Sequence, residues 1–196
     1  MNSGAQVRRK SGLGITVDTP MRLLLLLGTA LWFLPFVLTR WNRTPPQRQD
    51  LRSRWGILLE FIGFGLAWTP RFSSTPLWRP VLAMVFLLLA CLLSWTSTRA
   101  LGRFLRFEAA VSADHQLIRT GPYRFVRHPI YASMLCAVLA LVVVSASAVI
   151  SSFALAVFLA GTEIRVRTED RLLAERFGAE FEQYRRTTCA YIPFVR

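Results

Sequence analysis

Two polar segments contain the residues that could support chemistry. The first, residues 119–133, reads RTGPYRFVRHPIYAS. It contains His128, one of two histidines in 196 residues, and three arginines, of which Arg127 is its direct neighbour. Proline is common at the first position of a helix, so Pro129 predicts a helix that begins directly after His128. Unpaired backbone N–H groups at a helix start attract anions. The segment therefore predicts a site for a negatively charged group.

A second polar segment, residues 163–184, reads EIRVRTEDRLLAERFGAEFEQY and has the pattern of an amphipathic helix. Glu169 and Asp170 are adjacent carboxylates, and Arg165 lies one helical turn before Glu169, where the two can pair. Gly178 predicts the end of the first helical part. Taken alone, such carboxylates are more often solvated charges paired with neighbouring arginines, and a single histidine is more often structural. Neither segment alone therefore establishes a functional site.

Long apolar blocks separate these segments and must position them. The chain is 53% hydrophobic with a mean hydropathy of +0.38, which in long blocks is typical of integral membrane proteins. The block 129–162 is too long for one span, and its serines between residues 145 and 152 predict a break into a tight helical hairpin. The predicted fold is an all-α integral membrane protein with about five transmembrane helices and a cytoplasmic amphipathic C-terminal helix. The predicted spans are residues 21–39, 55–68, 78–98 and the two helices within 129–162.

The hairpin returns the chain to the membrane face from which it started, so Pro129 and Glu163 are expected at the same face. The two polar segments can then meet there. Most of the 24 lysine and arginine residues would lie on this side, which the positive-inside tendency assigns to the cytoplasm. The predicted organisation is a polar tail (1–20), N-terminal transmembrane helices (21–98) and a core that contains both polar segments (99–196).

The net charge of +13 raises nucleic acid binding as an alternative. The arginines lie between apolar blocks, however, so contact with anionic lipid headgroups explains them better, and no nucleic acid partner is expected. The three cysteines have no metal-binding spacing and predict neither a metal site nor a disulfide framework. The apolar run that begins at Met21 is long and lacks a small-residue cleavage site, so it is expected to be a membrane span rather than a signal peptide.

Glu60 is a carboxylate within the shortest predicted span, residues 55–68. An ionisable residue inside a membrane is a functional candidate. Because this span has only about 14 residues, which is short for a transmembrane helix, Glu60 is instead expected to be exposed at the membrane interface.

Residues 120–131 read TGPYRFVRHPIY, a helical hairpin is predicted to follow, and residues 167–184 read RTEDRLLAERFGAEFEQY. This combination resembles the isoprenylcysteine carboxyl methyltransferase family and is similar to the wider group that includes phospholipid N-methyltransferases. The resemblance covers residues 80–196. Two positions differ: the chain has Asp170 where the family usually has a second glutamate, and Ser133 where many members have glycine.

The resemblance implies an enzyme that binds S-adenosylmethionine between the two polar segments, at the cytoplasmic face, and methylates a lipophilic acceptor. The protein is expected to be a multi-pass protein of the inner or plasma membrane of a prokaryote. His128, Arg127 and the helix start suit the carboxylate of this cofactor. Glu169 suits its ammonium group or a ribose hydroxyl, and tyrosine rings suit the sulfonium or the adenine. The implied cofactor-binding residues are Tyr123, His128, Tyr131, Glu169 and Asp170.

The acceptor that the resemblance suggests first is the carboxylate of an isoprenylcysteine. A carboxylate needs no general base, only an arginine to orient it, for which Arg127 is the first candidate and Arg165 the second. An amine or hydroxyl acceptor must lose a proton, and Glu169 or His128 could accept it.

Three other functions fit the same residues. They are phospholipid or amine N-methylation, NADPH-dependent reduction by a membrane reductase of the sterol-reductase type, and a non-catalytic scaffold of the same fold. The acidic pair and the small size of the chain favour a methyltransferase over the reductase. The expected partners are a lipophilic or lipidated substrate and membrane lipids.

Overall fold

The computed structural model describes residues 18–39, 48–68, 76–106, 109–111, 116–145 and 147–192. Most of these residues form six α-helices: α1 (Asp18–Leu38), α2 (Arg52–Ala67), α3 (Trp78–Leu101), α4 (Pro129–Val144), α5 (Ala148–Phe177) and α6 (Ala179–Thr187). Short 3₁₀ helices follow α3 (Gly102–Phe104) and precede α4 (Gly121–Arg124). Two short strands, β1 (Arg48–Gln49) and β2 (Ala110–Val111), form an antiparallel pair. The predicted helical fold is confirmed, with this pair as a small addition.

Three helical stretches are long and apolar enough to cross a membrane, namely Pro20–Leu38, Trp78–Phe104 and Ala148–Phe177. They correspond to α1, α3 with its 3₁₀ extension, and α5, and they agree with an integral membrane protein. Helices α2 and α4 have 16 residues each, which is short for a transmembrane helix. The predicted count of five spans therefore stays a prediction. Most of the predicted polar tail lies outside the described residues, and its last three residues already belong to α1.

Helix α5 corrects the predicted boundary between the hairpin and the C-terminal amphipathic helix. A separate polar helix was expected over residues 163–184, whereas α5 continues without a break from Ala148 to Phe177. No proline or positive-φ glycine interrupts α5 until Gly178, whose φ of 52° ends the helix as predicted. The polar residues of the second segment therefore lie on the same helix as the second arm of the hairpin.

The hairpin turn is at the predicted serine cluster. Helix α4 ends at Val144, and α5 begins after Ser147. The Ser147 hydroxyl accepts a hydrogen bond from the backbone N–H of Ile150 (3.3 Å). This N-cap satisfies one of the free donors in the first turn and fixes where α5 begins.

Two pairs of helices form the frame of the molecule, because α4 packs along α3 and α2 packs along α5. Helix α1 lies on α3, and α4 has a smaller contact with α5 although the two are consecutive. Val138 of α4 and Phe158 of α5 are fully buried in the largest apolar core cluster. Helix α1 therefore lies on the α3–α4 pair, whereas α2 belongs to the other pair.

Candidate active site

A cavity of about 400 Å³ opens at the junction of α1, α2, α4 and α5. One wall is aromatic and comes from α1 and α2, with Trp32, Phe33, Phe36, Phe61 and Phe64. A second wall is polar and contains every residue that the sequence assigned to the site except Asp170. These polar wall residues are Tyr123, Arg127, His128, Tyr131, Arg165 and Glu169, together with Glu60 and Arg106.

Hydrogen bonds to residues 189 and 190 fix the backbone that precedes α4. The N–H of Arg127 donates to the carbonyl of Cys189 and that of His128 to the carbonyl of Ala190, both at 2.8 Å. Pro129 begins α4 as predicted, so His128 occupies the N-cap position, with a φ of −125° and a ψ of 64° that lie outside the helical region. The side chain of His128 is thereby fixed at the start of α4 and is buried.

His128 lies between the two adjacent carboxylates of α5. Its Nε2 is 2.8 Å from Oδ1 of Asp170, and its Nδ1 is 3.4 Å from Oε2 of Glu169. Burial lowers the pKa of His128, but the hydrogen bonds to Asp170 and Glu169 outweigh this effect and raise the pKa to about 9. The imidazole is therefore protonated at neutral pH, and both ring nitrogens donate.

Asp170 also forms an ion pair with Arg127, whose Nη2 lies 3.1 Å from Asp170 Oδ2. Arg127 Nη1 donates to the carbonyl oxygens of Thr188 and of Arg185, the latter at 3.2 Å. Asp170 contacts both Arg127 and His128. Aspartate is therefore long enough to reach both partners at this position, where the family usually has glutamate. The interpretation of the acidic pair as solvated surface charges is wrong for Asp170, which is only 5% exposed.

Tyr131 links the other carboxylate to Arg165. The Tyr131 hydroxyl donates to Glu169 Oε1, and the Arg165 guanidinium lies over the tyrosine ring, 4.9 Å from its centroid. Arg165 Nη2 is 4.0 Å from Glu169 Oε1, so the pair predicted from their spacing of four residues is present at the limit of an ion pair. Tyr131 is buried, and its cation–π contact holds the arginine against the cavity wall.

Glu60 is a site residue that the sequence interpretation placed wrongly. It was expected at the membrane interface, whereas its side chain is only 3% exposed and lies against α5. Its Oε2 is 2.7 Å from Arg165 Nη1, and its Oε1 accepts a hydrogen bond from Thr162 at 3.2 Å. The signal in the sequence was the position of Glu60 between Gly56 and Gly63, four residues after one and three before the other, on one face of α2.

Two further contacts fix the walls around this network. Tyr123 is buried, which raises the pKa of its hydroxyl, and its backbone carbonyl accepts a hydrogen bond from the Tyr184 hydroxyl at 2.5 Å. Ser133 is fully buried and accepts a hydrogen bond from Trp32 Nε1 at 3.2 Å, which ties α4 to the aromatic wall on α1. A serine in place of the family's glycine is therefore accommodated by a hydrogen bond.

The cavity thus combines an ionic wall with an aromatic one. Arg127, protonated His128 and Arg165 line the cavity together with Glu60 and Glu169. Asp170 is not part of the lining but binds Arg127 and His128, so charges of both signs are paired along this wall. Such a wall can bind a ligand that itself has both signs of charge. The aromatic wall can receive an apolar chain. Among the described residues, no group of three histidine, cysteine or acidic side chains could hold a metal ion.

Two curated proteins are similar to part of the chain. The cobalt-zinc-cadmium resistance protein CzcN of Cupriavidus metallidurans is 35% identical over 80 residues, which is 41% of this chain and 37% of that protein. The nickel-cobalt-cadmium resistance protein NccN of Alcaligenes xylosoxydans xylosoxydans is 32% identical over 78 residues, 40% of this chain and 36% of that protein. The chain therefore spans little more than a third of the length of these relatives.

The model of the phospholipid methyltransferase family matches residues 78–180, just over half of the chain. The matched region runs from α3 into α6 and includes every site residue that the sequence predicted, but not Glu60. The match agrees with the resemblance seen in the TGPYRFVRHPIY and RTEDRLLAERFGAEFEQY segments. With its three candidate membrane spans, the chain belongs to the phospholipid methyltransferase family of membrane proteins.

Proposed function

We propose that this protein transfers a methyl group from S-adenosylmethionine to a lipophilic acceptor within the membrane. The observation that supports this most is that paired ionic side chains and a group of aromatic side chains line one and the same cavity. A polar cofactor and an apolar acceptor can approach each other in such a space, and family membership favours methyl transfer as the reaction.

The polar wall fits the charged groups of this cofactor. Arg127 lines the cavity, and its buried Nε–H has no hydrogen-bond partner among the described residues, which leaves a donor for a carboxylate. Glu169 is partly exposed to the cavity and can accept from the ammonium group. The Tyr131 ring can face a sulfonium. S-adenosylmethionine, when bound, supplies the electrophilic methyl group on that sulfonium.

The protein's own contribution is positioning and exclusion of water. Methyl transfer is an in-line displacement, so holding donor and acceptor in line supplies a large part of the rate. Tyr131, Glu169 and His128 fix one another by hydrogen bonds, so the polar wall is formed before ligands bind. The aromatic side chains of α1 and α2 keep water from the acceptor's side of the cavity.

The acceptor enters on the aromatic wall in this proposal. An isoprenylcysteine carboxylate and a phospholipid amine are both lipophilic acceptors that suit such a wall. The first would need a cation from the wall, and the second a group that takes its proton, for which Glu169 is placed at the cavity. We further propose that the site faces the cytoplasm and that α1 to α5 all cross or enter the membrane, because most arginines then lie on the cytoplasmic side.

The test is transfer of labelled methyl groups from S-adenosylmethionine into a bacterial lipid extract by the purified full-length protein in micelles. Glu169→Gln and His128→Ala should lower the rate about 100-fold. Glu163→Gln is the matched control, because Glu163 also lies on α5 but pairs with the exposed Arg167 outside the cavity. It should keep the wild-type rate.

Cofactor binding separates methyl transfer from the reductase alternative. S-adenosylmethionine should bind the wild-type protein in the micromolar range or tighter, and NADPH should not compete with it. Tight NADPH binding without any response to S-adenosylmethionine would exclude the proposal. Transfer that persists in both site variants would show that the reaction occurs elsewhere.

A further inference from the structure

We propose that Glu60 selects the charge of the acceptor: by neutralising Arg165, it excludes negatively charged acceptor groups from the cavity. The inference rests on the proposed function in one respect, namely that the acceptor enters this cavity. Glu60 lies outside residues 78–180, so the family match assigns it no role. Its position, its partners and its charge provide the argument.

Close packing of two helices directs Glu60 at α5. A Cβ atom on Gly56 would lie 2.7 Å from the carbonyl oxygen of Gly161, and one on Gly63 would lie 2.7 Å from the backbone nitrogen of Phe158. The backbones of α2 and α5 are therefore in direct contact on both sides of Glu60. Small residues permit this approach in membrane helices, and the side chain between them must find its partners on the other helix.

The partners of Glu60 are polar groups of α5. Its two carboxylate oxygens bind Arg165 Nη1 at 2.7 Å and the Thr162 hydroxyl at 3.2 Å. All three residues are buried, and Glu60 and Arg165 both line the cavity. The charge of Arg165 is therefore matched by a carboxylate on the α2 side and by Glu169, at 4.0 Å, along α5.

Stability alone does not account for this ion pair. Burying two charges costs about as much as their attraction returns, and an apolar pair would fill the same space at least as well. An ionisable residue among apolar helices more often marks a functional site than a structural one. Because Glu60 and Arg165 both line the cavity, their charges act on the acceptor group that enters it.

An anionic acceptor needs a cation that is not already neutralised. Arg165, the cation beside Glu60, is matched by Glu60 and Glu169, and His128 is paired with Glu169 and Asp170. Arg127 is bound to Asp170 and to two backbone carbonyls, and its remaining donor, Nε–H, is the one assigned above to the carboxylate of the cofactor. A carboxylate brought next to Glu60 would meet a like charge in a poorly hydrated space. An uncharged group, such as a hydroxyl, meets no such repulsion.

The test measures binding of a fluorescent long-chain carboxylate and of the matched uncharged alcohol to the full-length protein in micelles. The wild type should bind the alcohol about tenfold more tightly than the carboxylate, because only the carboxylate meets Glu60. Glu60→Gln keeps the size of the side chain and removes its charge, so carboxylate binding should become about tenfold tighter while alcohol binding changes by less than about twofold. Glu163→Gln, a charge loss on α5 away from the cavity, should change neither.

Equal affinity of the wild type for both probes, or an unchanged carboxylate affinity in Glu60→Gln, overturns the inference. The wild-type comparison decides even if Glu60→Gln does not fold. The outcome is also separable from that of the proposed function, because probe binding requires no methyl transfer. A wild-type protein that methylates a long-chain carboxylate refutes the role of Glu60 and supports the proposed reaction. A protein that binds the alcohol more tightly but transfers no methyl group supports the role of Glu60 and refutes the proposed reaction.

Discussion

His128 Nε2 and Asp170 Oδ1 lie 2.8 Å apart, although the two residues are 42 positions apart in the chain. This hydrogen bond joins the start of α4 to the polar end of α5, so it closes the hairpin at the opposite end from its turn. The buried carboxylate of Asp170 binds both His128 and Arg127. One side chain on α5 therefore fixes the two cationic residues that precede α4.

Asp170→Asn should destabilise the protein and weaken cofactor binding together. The amide cannot balance the charges of Arg127 and His128, and breaking a buried ion pair costs about 3 kcal/mol. We expect a lower unfolding temperature in micelles and at least about a tenfold loss of S-adenosylmethionine affinity, because the histidine loses its orientation.

Asp170→Glu is the informative companion, because the family usually has glutamate at this position. It should retain more stability and more cofactor affinity than Asp170→Asn, since the charge is kept and the added methylene costs only about 1–3 kcal/mol. Asn and Glu variants with the same stability and affinity would show that the charge of Asp170 has no role in holding the site.

The stability of the protein should fall as the pH rises from 7 to 10. The pKa of His128 is about 9 in the folded protein, above its ordinary value near 6.5, so the folded state binds the proton more tightly than the unfolded one. The stabilisation is complete below about pH 6.5 and is lost as the pH passes through 9. Thermal unfolding in micelles across this range measures it, with an expected loss on the order of 3 kcal/mol.

His128→Gln should flatten this dependence, because glutamine has no proton to lose. A profile for the variant that is as steep as that of the wild type would assign the effect to another group. Tyr184, whose pKa burial raises to about 12, titrates above the range and does not interfere.

The sequence predicted which polar residues lie together better than it predicted the helices around them. His128, Tyr131, Glu169 and Asp170 were placed together because the proline-led helix start and the acidic pair are both local signals, and a serine-marked hairpin brings them to one membrane face. The end of the first helical part at Gly178 was also predicted, since a glycine with positive φ is a local requirement. Signals within short stretches of sequence were therefore sufficient to predict which residues of α4 and α5 lie together and where α5 ends.

Features that depend on packing between distant helices were missed. Glu60 looked like an interfacial charge because its span is short, and nothing local indicates that Arg165, 105 residues later, lies against it. The continuity of α5 was missed for a related reason. Its composition changes from apolar to polar near residue 163, which resembles a boundary between elements, but the backbone has no cause to break there.

Tyr131→Phe should lower methyl transfer by about tenfold with little effect on folding. The phenylalanine keeps the ring beneath the Arg165 guanidinium but removes the hydroxyl that donates to Glu169. Losing a hydrogen bond to a charged group costs about 1.5 kcal/mol where the acceptor is not rehydrated, which is about a tenfold change. Labelled methyl transfer and S-adenosylmethionine titration measure the two effects. A variant with the wild-type rate would mean that Glu169 is held adequately by His128 alone.

The contact between α2 and α5 can be tested with two glycines of the same helix. Gly63→Ala should destabilise the protein by about 1–3 kcal/mol, because the new Cβ would lie 2.7 Å from the backbone nitrogen of Phe158 and cannot be relieved by moving a side chain. At Gly65 no atom lies within 4 Å of an added Cβ, so Gly65→Ala should be neutral or slightly stabilising through its better helix propensity. Thermal unfolding of both variants in micelles gives the comparison. Equal stability of the two would contradict the close approach that holds Glu60 against Arg165, since without it the carboxylate could not stay buried at the cavity wall.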